Sequence, residues 1–118
     1  MTTVALVKAR PESVLEDVAE VMHRADYQRH LDRQAETALK INISWQHWYP
    51  ACSTTPWQLD GVTRTLIQDG FDAAKLFGAQ NRTVVVDAHE GERANKHAPV
   101  LAAHGVRNVH LYEDDEWV

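Results

Sequence analysis

Short β-branched runs alternate with helical stripes of apolar residues along this chain. Thr3–Lys8 carries Val4, Leu6 and Val7, which predicts a first, buried strand. Arg10-Pro11-Glu12-Ser13 then opens a helix, because proline suits the first helical turn and acids favour the positive end of the dipole. Val14, Val18, Val21, Met22 and Ala25 recur at i, i+4, i+7, i+8 and i+11, one apolar helical face. Residues 26–36 are too polar for a core and read either as a solvated helical extension or as a long loop.

Lys40–Ser44, with Ile41 and Ile43, predicts a second strand. The helix after it is marked at both ends. Thr55 stands as N-cap, Pro56 at the first helical position, and Gln58 completes a Thr-x-x-Gln capping box, while Asp69-Gly70 supplies a left-handed stop. Leu59, Val62, Leu66 and Ile67 form its buried face, and Gly61 reads either as a close contact with a strand or as a surface position. Thr83–Val86 predicts a third, central strand from its three consecutive valines. A short helix around Pro99–His104 stops at Gly105, and Arg107–Tyr112 predicts a fourth strand.

This β-α-β-α-β-α-β order implies one α/β domain over residues 1–118. Its sheet should be four-stranded, mostly parallel and Rossmann-like, with flanking helices and right-handed crossovers. The chain runs from its last strand into EDDEWV with no closing helix, so the domain is expected to be incomplete or completed by oligomerisation.

Composition narrows the class. A length of 118 residues suits one modest core. A net charge of −5, with twelve scattered Lys and Arg, argues against a nucleic-acid surface. No window approaches the ~18–20 apolar residues of a membrane span. The start, MTTVALVKAR, lacks a secretory h-region, so a cytoplasmic location is expected. Cys52 is the only cysteine, which excludes an intrachain disulfide or an iron–sulfur cluster built by this chain alone. The seven histidines show neither HxH nor HExxH spacing, so no metal ligands are assigned and no cofactor is named.

In an open parallel sheet, ligands collect beyond the carboxyl ends of the strands. Three groups should meet there: Asn42, Ser44 and the loop to Thr55; Asp87 and His89; and Tyr112 with Glu113. The helix start at Thr55 offers the amides of Trp57 and Gln58, with the hydroxyls of Ser53 and Thr54, to a carboxylate or phosphate. The ligand-binding candidates are therefore Asn42, Ser53, Thr54, Thr55, Trp57 and Gln58. The plainer alternative is that Thr55 only caps its helix. Trp45, Trp48, Tyr49 and Trp57 either wall a pocket, anchor a partner or cover one end of the core.

Asp87 and His89, two apart at a strand end, are the catalytic candidates: a general base with an orienting carboxylate. Half of a metal site and a simple turn cap are the alternatives. Cys52 is read as a nucleophile or a half-buried structural thiol. His97, His104 and His110 are expected at the surface or at helix ends, and Glu113–Glu116 as a solvated acidic end.

VALVK, ALKINISW and YPACSTTPWQLDGVTRTLIQDGFD, taken in that order, resemble the N-terminal half of the domain of unknown function 362 family. The matching positions are Lys40, Asn42, Thr54, Thr55 and Gly70, and the resemblance spans roughly residues 3–112. It implies a Rossmann-like α/β sheet. Members of that family often carry a ferredoxin-like segment, which this chain, with Cys52 alone, does not share. The family is distantly similar to the N-terminal domain of nickel-pincer lactate racemases, but the turn here is Ser53-Thr54-Thr55-Pro56, without that turn's Asp or Arg.

Three functions are consistent with these residues. The first is binding of a small anionic or aromatic ligand at the strand–helix junction. The second is an enzyme acting on a carboxylate or phosphate substrate through Asp87 and His89. The third is a non-catalytic module that forms a homo-oligomer or joins a larger assembly, with neither nucleic acid nor membrane as partner.

Overall fold

The computed structural model describes residues 2–113. It is an α/β fold in which three strands, β1 (Thr37–Lys40), β2 (Leu76–Gln80) and β3 (Arg107–His110), pair in parallel in the order β1-β2-β3. Four helices accompany them: α1 (Val14–Arg24), α2 (Pro56–Gln68), α3 (Ala88–Ala94) and α4 (His97–Ala103). Thr37 pairs with Leu76 and Phe77 with Arg107, so β2 is hydrogen-bonded on both sides and buried along its whole length. Successive strands lie side by side, and α2 from the first crossover packs against α4 from the second. Ile41, Leu59, Leu66, Phe71, Leu76, Leu101 and Val106 form the core between the sheet and the helices.

The sheet has three strands where four were expected. Thr3–Lys8 pairs with nothing among the described residues, and Val4 and Leu6 are exposed. Strand propensity there is real, but a strand needs a partner edge, and the segment leads instead to the start of α1. There the Arg10 N–H and the Ser13 hydroxyl both donate to Asp17 Oδ2, at 2.8 and 2.9 Å. A 3-10 turn over Pro11–Ser13 leads directly into α1. Residues 26–36 resolve as a 3-10 turn at Tyr27–Arg29 followed by loop. The expected Lys40–Ser44 strand begins earlier, at Thr37, and ends at Lys40. Ile41 still reaches the core at 1% exposure, while Asn42–Ser44 peel away from the sheet.

The largest correction concerns the valines. Thr83–Val86 is loop, with Val84 and Val85 exposed. The central strand is Leu76–Gln80, whose Gly and Gln dilute its β signal. A parallel strand buried on both sides is set by space as much as by propensity. A Cβ on Gly78 would lie 2.7 Å from Leu101 Cδ1 and 2.8 Å from Asn108 Oδ1, so a side chain there would force Leu101 and Asn108 to shift. The fourth expected strand stops at His110 rather than Tyr112, where a 3-10 turn takes over. Asp114–Glu116 of the expected acidic end lie outside the described residues.

Helix α2 follows its expected bounds. It ends in a Schellman arrangement: Gly70 has φ +93°, its N–H bonds Ile67 O, and Phe71 N–H bonds Leu66 O. Gly105 ends α4 in the same way. At the other end of α2, Thr55 has extended N-cap geometry, but its hydroxyl makes no capping bond, so the capping box does not close. Gly61 touches a helix, not a strand: a Cβ there would sit 2.8 Å from Val18 Cβ on α1.

A second tie between α1 and α2 is polar. Asp69, just past α2, accepts from Tyr27 Oη at 2.5 Å and from His23 Nε2 at 2.6 Å. Burial pushes the Asp69 carboxyl up, but the Tyr27 and His23 hydrogen bonds outweigh it and hold the group below the usual range. Burial first, and the bond to Asp69 second, push Tyr27 up to about 12, so its hydroxyl stays a donor.

Two outcomes follow from these contacts. Gly61→Val is expected to cost about 1–3 kcal/mol in denaturant unfolding, with part of the loss recovered in the Gly61→Val/Val18→Ala double variant. A depressed carboxyl stabilises the fold above its unfolded value near about pH 4, and that contribution disappears as pH falls through the folded value. Asp69→Asn should therefore lower the melting temperature at pH 7, and the gap to the parent should close on acidification. A gap independent of pH would contradict this reading.

Candidate functional site

The carboxyl ends of β2 and β3 carry the densest polar chemistry of the described residues. Beyond β2, residues 81–87 turn away from the sheet, and the displaced valines become one wall of a cleft of about 420 Å³. Arg82, Thr83, Asp87 and His89 line it, with Gln46 from the β1–α2 loop and Tyr112 and Glu113 from beyond β3.

Helix α3, which the periodicity had not marked, is organised by Asp87. This residue is the N-cap, its Oδ1 accepting from Glu90 N–H at 3.0 Å. The amides of Glu90 and then His89 hold its carboxyl below the usual range. Gln46 ties the neighbouring loop to the same point. It accepts from Asp87 N–H at 3.1 Å and donates to Glu90 Oε2 at 3.2 Å.

One turn of α3 then aims His89 and Glu92 at β3. His89 Nε2 lies 2.6 Å from Glu113 Oε1, and its Nδ1 lies 3.7 Å from Glu92 Oε1. His110 Nε2 donates to Glu92 Oε2 at 2.8 Å, and Asn108 Nδ2 donates to the same oxygen at 2.6 Å. Gln80 Nε2 in turn donates to Asn108 Oδ1 at 3.3 Å. The His89 and His110 rings stand 3.9 Å apart, and Tyr112 meets His110 edge-on at 5.9 Å. Arg82 lies 6.0 Å above the Tyr112 ring.

Glu92 is 7% exposed, so its charge must be met by nearby donors, and Asn108 and His110 supply them. The hydrogen bond to Glu113, opposed by burial, raises His89 above the ordinary histidine range. The same bond holds Glu113 low. Burial, then the nearby carboxylates, push Tyr112 up.

The expected groups thus separate. Asp87, His89, Tyr112 and Glu113 share the cleft, but Asn42, Ser53, Thr54, Thr55, Trp57 and Gln58 are not among its lining residues. The hydroxyls of Ser53 and Thr54 are engaged in closing their own loop. Thr54 Oγ1 accepts from Asn42 N–H at 3.0 Å, Thr54 N–H donates to Asn42 O at 3.0 Å, and Ser53 Oγ accepts from Ser44 N–H at 3.1 Å. This lace substitutes for the strand pairing that ends at Lys40. Asn42 Nδ2 donates to Ser44 Oγ at 2.7 Å within it. Trp57 and Gln58 are exposed on α2, and Trp57 lines a separate apolar groove with Pro11 and Val14.

Trp45, Trp48 and Tyr49 are also exposed, so they do not cover the core. Cys52 is free and half-buried. His97, expected near the surface, is fully buried: its Nε2 donates to Thr54 O at 2.6 Å, its Nδ1 has no partner, and burial lowers its pKa. His104 pairs with Asp60 at 2.6 Å.

His110 and Glu92 are the residues that sequence spacing missed. The only local signal was His89-x-x-Glu92, which puts both on one side of a helical turn. His110 joins them only through the β2–β3 pairing. A scan against protein-family models finds no match, and neither the curated proteins nor the solved structures hold a significant one.

The loop lace carries its own test. Ser53→Ala with Thr54→Val should cost about 0.5–1.5 kcal/mol for each hydrogen bond removed, measured by chemical unfolding. A double variant as stable as the parent would show that the lace does not hold this loop.

Proposed function

We propose that this domain binds a small carboxylate- or phosphate-bearing molecule in the cleft beyond β2 and β3. The observation that carries the reading is convergence: Arg82, Gln46, Thr83 and Tyr112 border one opening at the carboxyl ends of parallel strands. Arg82 supplies the planar, permanently charged donor suited to such an anion. Thr83 adds a neutral hydroxyl, and Gln46, bonded to Asp87 and Glu90, forms part of the wall. The site therefore moves from the Thr55 helix start, whose neighbouring hydroxyls close a loop, to the far end of the same loop at Gln46. The reading is one of binding, with Asp87 Oδ1 engaged in capping α3. Kinship with the domain of unknown function 362 family, and with it a Rossmann-like origin of the sheet, belongs to the same proposal. It is supported by the order of Lys40, Asn42, Thr54, Thr55 and Gly70.

A second reading, assembly with another copy or a larger partner, is favoured by one feature: Trp48, Tyr49 and Trp57 are all more than half exposed. Aromatic residues held in water at this density suit an interface. A clean monomer by light scattering at high protein concentration would count against self-association.

The binding reading is tested by calorimetric titration with inorganic phosphate, acetate and citrate. At least one should bind, and Arg82→Ala should weaken it about tenfold or more, the worth of a charge-assisted hydrogen bond. Absence of binding by all three, or equal affinity in the variant, would contradict it.

A further inference from the structure

We propose that His89, Glu92 and His110 form a binding site for one divalent transition-metal ion of the zinc class, lying directly behind the cleft. Two imidazoles and one carboxylate are a donor set that such ions favour, and three protein ligands leave a coordination position open. One ligand atom from each of the three residues falls within 4.8 Å of the others. Tetrahedral bonds of about 2.0–2.1 Å place neighbouring donors about 3.3 Å apart. His110 Nε2 lies 2.8 Å from Glu92 Oε2 and His89 Nδ1 lies 3.7 Å from Glu92 Oε1, so each imidazole faces one oxygen of the same carboxylate.

The surroundings argue for a built site beyond the mere proximity of three donors. His89 presents Nδ1 towards Glu92 because its other nitrogen is taken by Glu113 at 2.6 Å, which is the carboxylate–histidine–metal arrangement. Glu92 is oriented by Asn108, and Asn108 by Gln80, so a chain of side chains from β2 through β3 fixes the ligand oxygen. These supports come from three separate elements. The competing account is a purely structural His110–Glu92 pair that holds α3 against the sheet. It explains His110 but leaves the orientation of His89 and its carboxylate partner without a purpose. Because His89 also lines the cleft, the ion site adjoins the place where an anion is proposed to bind. The metal site does not rest on that anion reading.

The test uses the full chain stripped with a chelator and titrated with Zn²⁺ by calorimetry and with Co²⁺ by visible absorption. The expected result is uptake of one equivalent, a rise in melting temperature, and the intense d–d bands of a tetrahedral Co²⁺ complex. His89→Ala, a half-exposed position that should leave the fold intact, and Glu92→Gln should each abolish the bands. Asn108→Ala should weaken Zn²⁺ binding about 10–100-fold. No uptake by the folded parent chain would overturn the proposal. So would bands that persist in both His89→Ala and Glu92→Gln, which would assign the ion to other histidines. Metal uptake without anion binding, or anion binding without metal, separates this proposal from the reading of the cleft.

Discussion

The close approach over Gly78 is the constraint on which the rest of the structure depends. Leu101 from α4, Asn108 from β3 and Ile41 from the end of β1 all crowd the space a side chain would fill. Leu101 and Ile41 belong to the core, so the missing Cβ lets α4 and the end of β1 settle onto the central strand. Added atoms at such a point are costly, because packed interiors do not give way by an ångström without repacking. The same gap admits Asn108, and through Asn108 the core reaches the polar end of the sheet.

From there the chain of causes runs outward. Asn108 donates to Glu92, Glu92 accepts from His110, and His89 stacks on His110 while holding Glu113. A buried carboxylate costs several kcal/mol unless its oxygens are satisfied, so the Asn108 and His110 bonds are energetically required once Glu92 is inside. The polar cluster is therefore a consequence of how α3 docks against β3. The cleft outside it is open because residues 81–87 leave the sheet at Gln80 and do not continue as strand.

The helices were legible in the sequence where local chemistry is explicit. Pro56 and Gly70 mark α2 at both ends, and Gly105 marks the stop of α4, because a missing N–H and a positive φ are properties of single residues. Strands were less legible. Val84 and Val85 carry the strongest β signal in the chain yet sit in a loop, while Leu76–Gln80 carries a weak one and forms the centre of the sheet. Burial on both faces selects for fit, which Gly78 meets, and no local window reveals that. The candidate site shows the same divide. Asp87 and His89 were read as a pair at the end of a strand that does not form, and they do share one cleft. Glu92 and His110 were not visible together, since only the pairing of β2 with β3 joins residues 18 apart. The hydroxyls of Ser53 and Thr54 read as ligand donors because nothing local reveals that Asn42 and Ser44 need partners.

The most direct measurement of the central claim, that the parallel strand ends gather His89, Glu92 and His110 around one point, is a crystal structure of the full chain grown with zinc. Diffraction data would be collected on both sides of the zinc absorption edge. The account predicts one anomalous peak between these three side chains, with Asn108 still bonded to Glu92 and Glu113 to His89. A peak on other histidines, or none while the three side chains point apart, would contradict it.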